Sequence, residues 1–182
     1  MHCWLSPPET AIRYWRIVVA EFSIHVAKED LKFSAAHFIA YPGFREPLHG
    51  HNYQVGIKVE GRLADTGYVL DFGLIKQLTR QIVGRLDERT IIPSQSDCLE
   101  IRELDGQVSV GYEHDRFIFP AADVAMLPIM HSSAEELARF IWIELHAELA
   151  RRDALGDVSS MEVSVAEGPG QAAIYRQKIP LS

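Results

Sequence analysis

Residues 44–61 read FREPLHGHNYQVGIKVEG. From Tyr53 onward, Val55, Ile57 and Val59 recur at every second position, the period of a strand with one buried face. At the start of the same run His49 and His51 stand on either side of Gly50, and side chains two apart on a strand point to one face. The strand therefore presents two imidazoles side by side, a metal-ligand spacing. Glu46 stands three positions ahead of the pair.

Upstream, strand-like alternation appears in RIVVAEFSIHVA (16–27) and again in LKFSAAHF (31–38), with the polar KEDLK between them. Both read as antiparallel neighbours of the histidine strand. His37 lies at the end of the second run, and if the two strands pair through the loop from 38 to 48 it closes a three-histidine set. Three neutral imidazoles with one open position suit a catalytic zinc, which polarises a substrate oxygen. His2, His25, His114, His131 and His146 read as ordinary surface or core residues, with His131 of interest only for its place before a helix that carries Ser133.

Downstream, GLIKQLTRQIVGRL (73–86) spaces Leu74, Ile75, Leu78, Ile82 and Leu86 as one apolar helical stripe. Residues 97–120 hold two short strand-like runs around Asp105-Gly106, a dipeptide that favours a tight hairpin. In HSSAEELARFIWIELHAELARR (131–152), Ser132 or Ser133 caps a second helix and Glu135 or Glu136 completes a capping box, with Leu137, Ile141, Leu145 and Leu149 facing the core. The last run, 160–179, reads as a hairpin turning at Gly168-Pro169-Gly170. The order is β-β-α-(hairpin)-α-β-β. This predicts an α+β domain, a four-stranded antiparallel sheet with two helices on one face. Residues 1–14 read as an irregular extension and 15–182 as a single domain, with an insertion over about 92–130.

A chain of 182 residues, 47% hydrophobic and 24% charged, has the size and composition of one domain with a real core. Its formal charge of −7 argues against binding nucleic acid, which needs clustered Lys and Arg to displace counterions. Cys3 and Cys98 form no disulfide-like framework, which fits a reducing, cytoplasmic setting. No apolar run approaches the roughly 18 residues a membrane span needs, and the first residues lack the pattern of a signal peptide. A membrane partner is therefore not expected.

FSAAH, LHGHNY, LDFGLIK, Leu86-Asp87, SAEELA and VSVAEGPGQAAIYR follow one another in an order that resembles the 6-pyruvoyl-tetrahydropterin synthase and 6-carboxy-tetrahydropterin synthase family, over about residues 20–182. The resemblance implies a tunnelling fold in which subunits join their sheets into a barrel. It implies a homo-oligomer, commonly a hexamer built as a dimer of trimers, with active sites between subunits. It also implies Zn2+ on His37, His49 and His51, and a pterin ring held by Glu167. The chemistry suits that last role, because one carboxylate accepts from an adjacent ring N–H and amino group together. Ser133 matches a family Thr that contacts the ring, and it reads equally well as a helix cap.

The chain departs from the best-known synthases at the proposed base. They carry a cysteine a few residues before His-Gly-His, whereas residues 38–48 contain none and Arg45 stands four before His49. Where they carry an Asp-His pair, this chain has Asp87-Glu88. Glu46, in the spacing Glu-x-x-His-Gly-His, resembles a variant branch that cleaves 7,8-dihydroneopterin triphosphate to 6-hydroxymethyl-7,8-dihydropterin. A carboxylate is a weaker base than a thiol unless burial or like charge raises its pKa. Asp87 and Glu88 provide such a neighbourhood if they converge with Glu46 across a subunit boundary; otherwise they are surface residues. The alternatives are 6-pyruvoyl- or 6-carboxy-forming activity, or a zinc- and pterin-binding paralogue that has lost catalysis.

Overall fold

The computed structural model describes residues 20–180, so the expected extension at 1–14 and the first residues of the run from Arg16 lie outside it. β1 (Phe22–His37) and β4 (His49–Gly61) pair antiparallel from His37↔His49 through Ala35↔His51 and Phe33↔Tyr53 to Phe22↔Gly61. The two upstream runs expected from the sequence are one strand. They looked separate because the ladder breaks between Ala27 and Lys32, where β1 advances five positions against two on β4. The three extra residues form a bulge, and an odd number reverses which side chains face inward. Val26 is buried on the even side of the break, and Leu31, Phe33, Ala35 and His37 on the odd side. β4 keeps one phase throughout, with Tyr53, Val55, Ile57 and Val59 fully buried. The Gln54 side-chain amide closes the bulge, donating to the Lys28 and Leu31 carbonyls at 2.6 and 3.1 Å.

The sheet has six strands rather than the expected four, in the order β11-β10-β4-β1-β5-β9. β10 (Val158–Gly168) and β11 (Gln171–Lys178) form the terminal hairpin expected at Gly168-Pro169-Gly170. The two added strands are β5 (Arg89–Pro93) and β9 (Val124–Leu127), and β5 pairs parallel with β1 and β9 parallel with β5. Both are short, and their partners are remote in sequence. Period-two reading has little to hold on to there.

The helices cover one face of the sheet. α1 (Phe72–Val83) is capped by Asp71, whose carboxylate accepts from the Gly73 N–H at 2.6 Å. Ile75, Leu78 and Ile82 are buried as expected, while Leu86 is buried from the turn that follows the helix, which stops at Gly84. α2 (Ala134–Arg151) is capped by Ser133, which accepts from the Glu136 N–H. It buries Leu137, Ile141, Leu145 and Leu149, and the Trp142 Nε1–H donates to the Met161 carbonyl on β10 at 2.8 Å. Among the described residues no helix is long and apolar enough to cross a membrane.

Between β5 and β9 the insertion is a three-stranded antiparallel sheet, not a hairpin: β6 (Glu100–Leu104), β7 (Gln107–Tyr112) and β8 (Asp115–Pro120). The turn at Asp105-Gly106 is where the sequence placed it, with both residues at positive φ (50° and 74°). The next turn, Glu113-His114, carries no Gly, Pro or Asn to mark it, although Glu113 takes φ 50°. Val108, Val110 and Tyr112 join Phe38, Ala40 and Ile92 in a second core beside the main one. β2 (Ala40–Tyr41) and β3 (Phe44–Arg45), a small hairpin in the loop between β1 and β4, sit next to it.

Replacing Gln54 by Leu leaves two bulge carbonyls without their donor. Each lost hydrogen bond is worth about 1 kcal/mol net. Urea denaturation of Gln54→Leu should show a loss of about 1–2 kcal/mol, with the slope unchanged.

Candidate active site

The end of the β1–β4 ladder brings His37, His49 and His51 together, with one ring nitrogen from each lying within 4.8 Å of the others. His37 is buried, whereas the other two are more open. The His37 Nδ1–H donates to the Ser132 carbonyl at 2.7 Å, and the His49 Nδ1–H to the Pro47 carbonyl at 2.8 Å. A carbonyl can only accept, so both rings are held in the tautomer that leaves Nε2 with a free lone pair. His37 Nε2 is buried without a hydrogen-bond partner. Burial holds the His37 imidazole below its ordinary pKa, against the opposing effect of the Ser132 carbonyl. A neutral imidazole with an orphaned inward nitrogen is what a cation requires. The donor set fits a divalent metal with an open position.

Glu46 is half-buried in the loop just before the histidines. Its N–H donates to the Ile39 carbonyl at 2.9 Å, and its carboxylate accepts from the Ile39 N–H at 3.1 Å. Pro47 restricts Glu46 to extended backbone, and the Pro47 carbonyl is the acceptor that orients His49. One short segment thus positions both the Glu46 carboxylate and the His49 ring.

Glu167, on β10, lines a cleft of about 380 Å3 with Ile39, Ser133, Ala134, Gln171 and Ala173. Its carboxylate lies near enough for its charge to act on both His37 and Tyr53. Ser133 serves as the α2 cap and as a cleft wall at once. Asp87 and Glu88 do not meet Glu46 within the chain. The Asp87 carboxylate accepts from the Ser34 N–H and the Glu88 N–H donates to the Ser34 carbonyl, both at 2.7 Å. Glu88 lines a second depression with Ser34, His51, Asn52 and Thr90.

Two residues of the site escaped the sequence reading. Ser132 is fully buried, offering its carbonyl to His37 while its hydroxyl donates to the Phe38 carbonyl at 2.8 Å. Tyr53 read as a core residue by its alternation. It stacks on Phe33, with ring centroids 4.6 Å apart, and meets His37 and His51 edge-on. Its buried hydroxyl has no partner, and burial, with the charges of Glu167 and Glu46, pushes its pKa up. The phenol therefore stays protonated, with a proton to donate and lone pairs that can accept.

This fold, with a histidine group able to hold a metal ion, is that of a domain of the pterin-synthase type. Residues 25–178 match the 6-pyruvoyl tetrahydropterin synthase family, and the chain belongs to it. It is 33% identical over 148 residues, 81% of the chain and 90% of the relative, to a putative 6-carboxy-5,6,7,8-tetrahydropterin synthase of Methanocaldococcus jannaschii. The crystal structure of 6-pyruvoyl tetrahydropterin synthase from Plasmodium vivax superimposes with a TM-score of 0.81 at 37% identity, covering 88% of this chain and 99% of that one. Two more structures of the Plasmodium vivax protein carry alanine or cysteine in place of a glutamate described as its catalytic residue. A dihydroneopterin monophosphate aldolase of Pyrococcus furiosus is 37% identical over 59 residues, 32% of this chain and 50% of that protein.

Removing one of the three histidines should abolish stoichiometric metal retention. His51→Ala, dialysed against micromolar zinc and assayed by elemental analysis, should hold at most a tenth of the metal of the parent, while His146→Ala on α2 should hold as much as the parent.

Proposed function

We propose that the chain is a zinc-dependent pterin enzyme that cleaves the side chain of 7,8-dihydroneopterin triphosphate to give 6-hydroxymethyl-7,8-dihydropterin. One observation carries this reading: a glutamate, not a cysteine, is tied by both backbone and side chain to Ile39, in the loop that delivers the histidines. The catalytic glutamate of the Plasmodium vivax protein and the aldolase activity named for the Pyrococcus furiosus relative both support it.

His37, His49 and His51 would hold the metal, which would supply Lewis-acid polarisation of a substrate oxygen. Glu167 accepts the ring N–H and amino group of the pterin, and Ser133 adds a hydrogen bond at the cleft wall. Glu46 removes the proton of the hydroxyl on the second side-chain carbon. The bond between the first and second carbons then breaks. Its electron pair passes to the first carbon and the electron-poor ring, while the second carbon leaves as the aldehyde of a two-carbon fragment bearing the triphosphate. The proton returns to the first carbon, completing the hydroxymethyl group. In the same reading the chain works as a homo-oligomer, a hexamer made of two trimers in the cytoplasm, whose neighbouring copies cover the exposed sheet edges β11 and β9. Asp87 and Glu88 then face a subunit boundary.

Formation of 6-carboxy-tetrahydropterin is the second reading, favoured by the length of the match to the Methanocaldococcus jannaschii relative. The absence of cysteine from residues 38–48 weighs against it.

Zinc-loaded protein incubated with 7,8-dihydroneopterin triphosphate should yield 6-hydroxymethyl-7,8-dihydropterin, identified by chromatography and mass. Glu46→Ala should lose about 100-fold or more of kcat with its zinc intact, as expected for loss of a general base. A carboxy- or pyruvoyl-pterin product would exclude the cleavage reading. Glu167→Ala should weaken pterin binding by about 10- to 100-fold, the cost of a charge-assisted bidentate pair, measured by calorimetry.

A further inference from the structure

The insertion has no part in the chemistry above, yet it touches the loop that carries Glu46. Arg45 and Glu46 are adjacent. The Arg45 Nε–H and Nη2–H both donate to Asp115 Oδ2 on β8, at 3.0 and 2.6 Å, and its Nη1–H donates to the Glu46 carbonyl at 2.7 Å. The guanidinium carbon stands 5.1 Å from the centre of the Phe117 ring, also on β8. Phe117 in turn stacks on Phe38, the residue after His37. A further tie runs from the Tyr112 hydroxyl on β7 to the Tyr41 carbonyl, at 3.0 Å. The guanidinium is a planar fork with fixed donor directions. Held by Asp115 on one side and Phe117 on its face, it fixes where its remaining donor points.

We infer that Asp115 is a positioning residue for Glu46: the insertion uses it to lock Arg45, and Arg45 locks the Glu46 backbone. This rests on the reading of Glu46 as the base. With the clamp in place Glu46 is held at three points, its N–H and carboxylate on Ile39 and its carbonyl on Arg45. Without it the carbonyl tie loses its fixed donor, and the segment from Phe44 to Pro47 gains freedom at the point where a small displacement removes the base from its proton. Asp115 itself is more than half exposed, at 54%, and belongs to neither core. Its removal is therefore expected to leave the fold intact.

Two measurements on Asp115→Ala decide the matter. Amide hydrogen exchange in residues 38–48 of the zinc-loaded protein needs no substrate; the Ile39 and Glu46 amides should exchange about 10-fold faster or more, while α2 stays unchanged. With 7,8-dihydroneopterin triphosphate, kcat should fall about 10-fold or more and KM should stay within about twofold, since a displaced catalytic group costs rate rather than binding. Asp115→Glu should recover most of the lost kcat, because its carboxylate can still reach the fork. Unchanged exchange and unchanged kcat in Asp115→Ala would overturn the clamp, as would a rise in KM alone. Full turnover in Glu46→Ala would instead overturn the base reading, leaving the clamp to stand or fall on the exchange.

Discussion

The register of β1 against β4 is the constraint on which the site depends. The ladder ends at His37↔His49, and Ala35↔His51 is the next same-face pair, so three imidazoles converge only if that end is in register. A slip by one residue would send one strand's histidines to the far side of the sheet. The bulge makes the register possible, since without an odd number of extra residues β1 could not bury Val26 in one half and His37 in the other. Gln54 fixes the bulge from the neighbouring strand, beside the Tyr53 that reaches the site. A polar side chain with no role in chemistry therefore stabilises the bulge that sets on which face the chemistry is built.

At the ligand end the chain passes from one core to the other. His37 closes the main sheet, and Phe38 begins the packing against the insertion. Ser132 holds both residues, its carbonyl on the His37 ring and its hydroxyl on the Phe38 backbone, and Ser133 next to it starts α2. The helix start, the strand end and the second core are thus fixed by two consecutive serines. That arrangement sets the His37 tautomer before any ligand arrives, which is how a backbone carbonyl prepares a metal site. Pro47 does the same for His49 from the loop, so two of the three donor atoms are oriented by main-chain oxygens.

What could be read in the sequence was local. His49 and His51 on one face, the Ser133 cap, the apolar stripe of α2 and the terminal hairpin each depend on residues within a few positions of one another, and their spacing carries the signal. β5 and β9 were missed because a strand of four or five residues in a parallel pair is defined by its partners, which lie 54 residues away for Ala35 and Arg89 and 34 for Thr90 and Val124. β8 was missed because Glu113 enters positive φ without the residue types that mark turns. The bulge was seen as a gap between two strands, since its parity shift breaks the alternation that reveals a strand. Ser132 orients His37 through a carbonyl that every residue possesses, so the side-chain pattern that marked it as a possible cap could not point to that role. Tyr53 was hidden by its own regularity: the same alternation that buries its ring gave no sign of an unpartnered hydroxyl.

The carboxylates around the histidines divide by what already holds them. Asp87 accepts from the Ser34 N–H and the next residue donates to the Ser34 carbonyl, so this corner extends the β1 ladder into the turn after α1. Glu88 takes φ 56° there, a left-handed conformation that costs a non-glycine residue about 1–2 kcal/mol and persists because Ser34 holds the Asp87 side chain and the Glu88 N–H before it while Arg89 pairs with Ala35 after it. Its side chain lines the depression beside His51 and Asn52, which shares no lining residue with the cleft of Glu167. A planar ring seated on Glu167 therefore lies on the Ile39 and Ser133 side, where Glu46 is tied to Ile39. Any contribution from Glu88 has to come from the other flank of the cluster, beside His51 and Asn52.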